Sequence, residues 1–374
     1  MKVAVNTRIL YSDYLEDSGP FIFHVLRYLT SKFPEHQFIF IFTRRSDNRL
    51  RFSSNVTSVI IEPNTKHPLL LKYWYDIKLP GVLRKYKADV FVSFDGWCSL
   101  TTRVPQCLVI PYLDFLNYSL HLPKPSLLFY NRYIQKVLQK AKSIATISEF
   151  SKQDIINNNK IDKEKINVIC GAAVENFKPV PANISKETKN KYTGGMEYFL
   201  YKGPIQPEEN LVNLLKAFSV FKKRQKSNFK LVLAIRHTLR HDSFIQSLKN
   251  YKYKNDVIVL LDLSEDELAK IMGSTYALVS PSLAEGFTIP VLEAMKCHIP
   301  VLTLSHSTMQ EITKDAALYV DAKNFEDIAE KMMFIYKDEN LRKDLIEKGK
   351  IIASQYSWEK SAEQIWQTIL KAVD

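Results

Sequence analysis

Residues 276–304 read Y-A-L-V-S-P-S-L-A-E-G-F-T-I-P-V-L-E-A-M-K-C-H-I-P-V-L-T-L. A strand over Tyr276–Ser280 gives way to a turn holding Pro281 and Gly286. Pro290 then stands where a helix accepts proline, in its first turn, and a second strand follows at Val301. Strand, loop, helix, strand is the parallel βαβ unit. The first turn of such a helix carries free N–H groups and a partial positive charge, a ready anion site. Two carboxylates flank it, Glu285 in the loop and Glu293 inside the helix, eight positions apart. A carboxylate one turn into the helix can accept two hydroxyls at once, as a ribose diol requires, and Glu285 can accept hydroxyls of a second ring. Taken alone, the pair is also satisfied by a solvated helix face for Glu293 and a turn cap for Glu285.

The same alternation extends through the chain. Strand patterns fall at Lys2–Asn6, Gln37–Thr43, Val56–Ile61, Asp89–Phe94, Cys107–Ile110, Ser143–Ile147 and Ile166–Ile169, with helical patterns at Phe21–Lys32, Leu69–Tyr86, Ser126–Ala141 and Glu149–Asn158. A second series has strands at Tyr198–Lys202, Lys230–Ile235, Val257–Leu261, Tyr276–Ser280, Val301–Leu304 and Ala317–Val320. Its helices are Asn210–Arg224, Ser243–Tyr251, Asp266–Ile271, Pro290–Lys296 and Phe325–Tyr336; Leu341–Ser354 and Trp358–Val373 follow without further strands. Ser264–Glu267 reads as a capping box. Repeated βα units predict an α/β protein with parallel sheets covered on both faces. The polar stretch Pro179–Gly195 has the residues of a linker. Domains are therefore expected over 1–180 and 195–355, with 356–374 as a closing helix that packs back on the first. Two such domains leave a cleft, and ligands of these folds bind outside the carboxyl ends of the strands.

Composition narrows the chemistry. Only 10 glycines occur in 374 residues, where typical usage of ~7% gives roughly 26. Neither G-x-G-x-x-G nor G-x-x-x-x-G-K-[ST] is present, which speaks against an ordinary dinucleotide fingerprint and rules out a standard P-loop. No apolar run approaches the ~18 residues of a membrane span, and Arg8 interrupts the opening apolar residues, so a cytoplasmic protein is expected. The cysteines at 98, 107, 170 and 297 lack C-x-x-C spacing and read as structural thiols. His237 and His241 stand four apart without an H-E-x-x-H pattern, so no metal site is expected. The net charge is +12; residues 1–180 carry 25 Lys and Arg against 15 Asp and Glu, a net of +10. A basic first half attracts phosphate-bearing partners. Arg132, Lys136 and Lys140 form one face of the helical stretch 125–141, which suits either a solvated face or an anionic membrane surface. No nucleic-acid motif accompanies this charge. Asp95, Trp97, Asp114 and Tyr118 follow strand ends and suit either an acceptor pocket or loop surface.

The 276–304 run resembles the E-x7-E signature of retaining glycosyltransferases of family 4, which have a GT-B fold. The opening V-A-V-N-T-R-I-L and a loop with Gly19 are similar to that family, as are A-T-I-S-E-F-S-K-Q-D-I (145–155), I-N-V-I-C-G-A-A-V-E-N-F-K-P (166–179), D-A-A-L-Y-V-D (315–321) and Y-S-W-E-K-S-A (356–362). The resemblance implies two Rossmann-like domains facing across a cleft, with the last helix crossing back to the first. It implies transfer of a sugar from a UDP- or GDP-linked donor to a glycan or lipid-linked acceptor, with retention of anomeric configuration, no cofactor and no metal. The first domain would hold the acceptor and the second the donor, at the cytoplasmic face of a membrane. Carried over by position, Glu293 holds ribose hydroxyls and Glu285 contacts the donor sugar at the reacting centre. The backbone of Gly286, Phe287 and Thr288 meets sugar and phosphates, and Gly19 and Gly203 line the two loops.

The chain departs from the family at the diphosphate loop, Gly203-Pro204-Ile205-Gln206-Pro207-Glu208-Glu209-Asn210. Glu209 stands where the resemblance places a lysine, and Glu208 where it places an arginine. Unit charges ~4 Å apart at an effective dielectric of ~20 interact by ~4 kcal/mol. Pro111-Tyr112 replaces a His-Asp pair, Asp17-Ser18-Gly19 replaces a Gly-x-Gly, and Arg236 and His298 replace glycines. Two readings follow. In one, Lys202 at the end of one strand, with Arg236, His237 and Arg240 after the end of another, supplies the missing cations. In the other, the chain is a catalytically impaired relative acting as a binding or partner subunit.

Overall fold

The computed structural model describes residues 1–11, 18–43, 53–63, 67–110, 124–205, 209–235, 241–283, 289–305 and 307–374. The chain forms two compact units, Met1–Gly171 with Trp358–Asp374, and Ala172–Ser357.

The first unit holds β1 (Lys2–Asn6), β2 (Gln37–Phe42), β3 (Val56–Ile60), β4 (Val90–Ser93), β5 (Gln106–Val109), β6 (Ser143–Thr146) and β7 (Ile166–Val168). Their order is β3-β2-β1-β4-β5-β6-β7, with all neighbours parallel. The central strands are fully buried, as the continuous apolar runs Phe38–Phe42 and Val90–Val92 require of a sheet covered on both faces. Its helices are α1 (Ser18–Lys32), α2 (Pro68–Tyr73), α3 (Leu79–Tyr86), α4 (Lys124–Lys140) and α5 (Glu149–Asn159), with the last helix of the chain, α14 (Trp358–Val373). Trp366 of α14 stacks on Phe33 at 4.2 Å and on His36 at 4.9 Å, and Trp358 stacks on His24 at 4.7 Å. Ser143 Oγ donates to Thr368 O at 2.7 Å, and Cys170 N to Gln364 Oε1 at 2.9 Å.

The stretch read as one helix over Leu69–Tyr86 is divided. A π-helical turn, Trp74–Lys78, separates α2 from α3. Pro80 explains the break: it has no N–H for the carbonyl of Asp76 four residues earlier. The hydroxyl of Thr101 donates to that carbonyl at 2.6 Å instead. Gly19, read as a loop residue, lies in the first turn of α1, ahead of Pro20, whose fixed φ suits a helix start.

The second unit holds β8 (Tyr198–Lys202), β9 (Lys230–Ile235), β10 (Val257–Leu261), β11 (Ala277–Ser280), β12 (Val301–Leu304) and β13 (Leu318–Val320), in the order β10-β9-β8-β11-β12-β13. Again every pairing is parallel. This is the 3-2-1-4-5-6 order of a doubly wound sheet, which reverses direction between β8 and β11. Helices α6 (Ala182–Thr193), α7 (Leu211–Gln225), α8 (His241–Leu248), α9 (Glu265–Ser274), α10 (Ile289–Lys296), α11 (Ser307–Thr313), α12 (Phe325–Lys337) and α13 (Glu339–Ser354) cover it.

The Pro179–Gly195 linker is corrected by α6. Gly194, at φ +63°, is the left-handed residue that ends this helix. Its polar composition hid it, because α6 buries little beyond Thr188 and Thr193. Lys191 and Tyr192 reach Glu267 of α9 at 2.9 and 2.8 Å. The Ser264 hydroxyl accepts from Glu267 N at 3.3 Å, as the capping box predicts.

Candidate functional site

The sheet of the second unit ends, at its reversal point, in a buried ion pair. Lys202 closes β8, and Glu293 is the fifth residue of α10, the helix that leads from β11 towards β12. The Lys202 ammonium contacts the Glu293 carboxylate directly. Glu293 is 1% exposed, and its lysine partner 19%. The ring of Phe177 lies under the Lys202 ammonium, 4.7 Å from centroid to Nζ, a cation–π contact that strengthens on desolvation. Buried Val291, Leu292, Ala294 and Met295 fix α10 on the sheet. Gly349 of α13 allows a close approach there, since a Cβ at that position would lie 3.2 Å from Met295 Cγ. Burial, with the Glu293 carboxylate next in effect, pushes the neighbouring Cys297 thiol up to about 12. That thiol is therefore inert at neutral pH.

The sequence assigned Lys202 and Glu293 to different parts of a ligand, and the structure joins them to each other. Glu293 is not the solvated residue of an outward helix face. Its charge is held inside the protein by a cation from the adjacent strand.

Glu209, at the charge-reversed position of the loop, is also held. Its Oε2 accepts from Ser282 Oγ at 2.6 Å and lies 3.0 Å from the Tyr201 hydroxyl, which is itself 2.8 Å from Pro204 O. Gly203 is required by this packing, since a Cβ there would collide with the Tyr201 hydroxyl. Asn210 follows at φ +60° and anchors the start of α7 by donating to Pro281 O at 3.0 Å and to Ala322 O at 2.5 Å. Sequence reasoning overlooked Tyr201, Phe177, Ser282 and Asn210. Tyr201 and Phe177 read as core aromatics, and their polar or cationic contacts come from residues remote in sequence or from a turn. His298, where the resemblance places a glycine, is at φ +62° and donates its N–H to Met295 O at 3.0 Å.

Glu285, Gly286, Phe287, Thr288, Arg236, His237, Arg240, Glu208, Asp17, Pro111, Tyr112, Asp114 and Tyr118 lie outside the described residues. In the first unit, Asp95 follows β4 beside β1, where that sheet also reverses. Its carboxylate accepts from Tyr75 at 2.7 Å, Ser93 at 2.7 Å and Asn6 at 3.0 Å, with Arg8 at 3.7 Å. Burial, then Asp95, pushes the ionisation of Tyr75 well upward, so its hydroxyl stays a donor. Trp97 is 3% exposed and stacks on Phe129, so it is core and not pocket lining. Among the described residues, no group of three or more His, Cys, Asp and Glu side chains is arranged to hold a metal ion.

Two doubly wound parallel sheets, one in each unit, define the GT-B class of fold. The sequence agrees in both halves: residues 21–172 match the model of Glycosyltransferase Family 4, and residues 184–351 match that of Glycosyl transferases group 1. The chain belongs to the GT-B glycosyltransferases of the family 4 type. It is 25% identical over 243 residues to the O-antigen chain mannosyltransferase B of Escherichia coli, covering 65% of this chain and 64% of that one. It is 30% identical over 193 residues to the O-antigen chain mannosyltransferase RfbU of Salmonella typhimurium, covering 51% and 50%. The chain thus spans less than two thirds of the length of either relative. Among solved structures, WaaG, a glycosyltransferase involved in lipopolysaccharide biosynthesis, superposes with a TM-score of 0.78 at 13% identity, over 98% of this chain and 99% of that one. Anabaena HepE in complex with UDP-glucose gives 0.74 at 14%, over 100% and 99%. At these identities the likeness is one of fold.

Proposed function

We propose that this chain transfers a sugar from a nucleotide diphosphate sugar to a glycan or glycolipid acceptor, with retention of configuration and without a metal. The observation that carries this reading is the Lys202–Glu293 pair at the reversal point of the second sheet, the place where doubly wound folds bind nucleotides. Glu293 meets the Lys202 ammonium directly, and a carboxylate can accept both hydroxyls of a ribose. Lys202, steadied over Phe177, supplies positive charge beside the leaving diphosphate, whose developing charge protein cations must balance when no metal does so. Glu285 would meet the sugar at the reacting centre, with the backbone of 286–288 and the Arg236 side chain around the phosphates. The two O-antigen mannosyltransferase relatives favour a mannosyl donor.

A second reading rests on Glu209. Its carboxylate is fixed by Ser282 and Tyr201 close to the expected phosphate path, which favours a partner subunit that has lost transfer. Thermal unfolding with UDP, GDP, GDP-mannose and UDP-glucose separates the two. A ligand at 100 times its Kd stabilises by ~2.7 kcal/mol, and at least one of the four is expected to raise the midpoint. Glu293→Ala and Glu293→Gln should lower the affinity at least ten-fold, the scale of one lost hydrogen bond to a charged acceptor at ~1.5–3 kcal/mol. No shift with any of the four supports the partner-subunit reading. Unchanged nucleotide affinity in folded Glu293→Gln removes Glu293 from the site.

A further inference from the structure

Adjacent residues at the end of the loop after β8 grip adjacent residues at the start of the loop after β11. Glu209 Oε2 accepts from Ser282 Oγ at 2.6 Å, and Asn210 Nδ2 donates to Pro281 O at 3.0 Å. The same Asn210 amide reaches Ala322 O, beyond β13, at 2.5 Å. Glu209 Oε2 also lies 3.0 Å from the Tyr201 hydroxyl. That hydroxyl has one proton and a nearer acceptor in Pro204 O at 2.8 Å, so Ser282 is the firmer of the two links. Ser282 is 3% exposed and Tyr201 0%. The Glu209 carboxylate is therefore turned against the protein, towards buried hydroxyls at the carboxyl edge of the second sheet.

The residue type fits this task. An ammonium group has donors only, whereas a carboxylate accepts. The hydroxyl proton of a buried serine needs an acceptor, and a lysine at this position could not provide one. Where the resemblance places a side chain that reaches out to a phosphate, Glu209 is a side chain that bonds inward. The cation of this loop stands at its other end, where Lys202 meets Glu293. Ser282 precedes Glu285 by three residues. Whatever fixes Ser282 therefore fixes the start of the segment that carries Glu285.

We propose that Glu209 is a positioning residue of the donor site. It touches no part of the nucleotide sugar; it ties the loop after β8 to the loop after β11 and holds Ser282 where the segment leading to Glu285 departs. This rests on the proposed sugar transfer. Its consequence for binding is opposite in sign to that of a carboxylate repelling the diphosphate: removing Glu209 weakens the donor complex instead of strengthening it.

The test is the affinity of the full chain for UDP, GDP, GDP-mannose and UDP-glucose, measured well below the unfolding midpoint of each variant. Glu209→Ala should weaken the binding of whichever nucleotide the wild type takes by about ten-fold, the scale of one lost hydrogen bond. Glu209→Gln, whose amide oxygen still accepts from Ser282, should stay within about three-fold of wild type. Ser282→Ala should lose about as much as Glu209→Ala, and the double variant no more than either, as two halves of one contact do. Tighter binding in Glu209→Ala and Glu209→Gln would overturn the proposal, because the carboxylate would then oppose the phosphates. Unchanged affinity in Glu209→Ala would overturn it too, leaving the contact a matter of stability alone. A ligand-free arm separates the proposal from the donor reading beneath it. Urea midpoints of the same three alanine variants should be non-additive. Additive midpoints, with nucleotide still bound by wild type, would remove the tether and leave the donor site standing. Non-additive midpoints, with no nucleotide bound by wild type or any variant, would remove the donor site and with it the positioning role.

Discussion

Lys202 and Glu293 illustrate how a buried charge depends on its partner. Glu293 is withdrawn from water, a desolvation that an ion offsets only through a close counter-charge. Lys202→Met should therefore destabilise the second unit by about 3–5 kcal/mol, the cost of leaving one buried charge unpaired. Adding Glu293→Gln to Lys202→Met should recover part of that loss, since a neutral amide needs no counter-ion. Urea unfolding followed by far-ultraviolet circular dichroism measures both. Equal stability of Lys202→Met and wild type would show that water reaches Glu293 and that the pair is incidental. At this scale the sequence disclosed residue types but not partners. The Glu293 carboxylate and the Lys202 ammonium were both visible as candidates, whereas Tyr201 and Ser282 carried no signal that their hydroxyls would hold Glu209.

Elements were the most legible level, since their signals are local. The strands of both sheets fall where β-branched and aromatic runs are bounded by turn residues, and the helix at 289–296 begins beside Pro290 as its fixed φ favours. Failures have local causes too. Pro80 removes one donor and turns a continuous helix into α2, a π turn and α3. Helix α6 was unreadable because its apolar face is narrow and its stop signal, Gly194-Gly195, resembles a flexible joint. The end of α10 gives a prediction. His298 occupies the left-handed region, which costs an ordinary L-residue roughly 1–2 kcal/mol. His298→Gly should stabilise the protein by up to ~1 kcal/mol once glycine's larger unfolded-state entropy is set against it. A lower unfolding midpoint for His298→Gly would mean that the imidazole contributes packing that outweighs the strain.

For the whole molecule, the division into two units has a direct spectroscopic consequence. All four tryptophans, Trp74, Trp97, Trp358 and Trp366, belong to the first unit. Tryptophan fluorescence therefore follows that unit alone, while circular dichroism follows both. Ile369 of α14 is 1% exposed, so Ile369→Ala should cost about 2–5 kcal/mol. The loss should appear in the fluorescence transition. If fluorescence is unmoved and only the dichroism transition shifts, α14 does not belong to the first unit's core. What the sequence by itself determined is the succession of βα units, the family to which they conform and the positions of the acidic pair, because each is written in neighbouring residues through periodicity, turn chemistry and spacing. Only tertiary structure decided that Lys202 meets Glu293, that hydroxyls of Tyr201 and Ser282 hold Glu209, and that the chain's last helix completes the core begun by its first strand. Those contacts join residues separated by up to hundreds of positions. They arise because the strand order sets β8 beside β11 and α14 against β6, an outcome of collective packing that no local window of sequence contains.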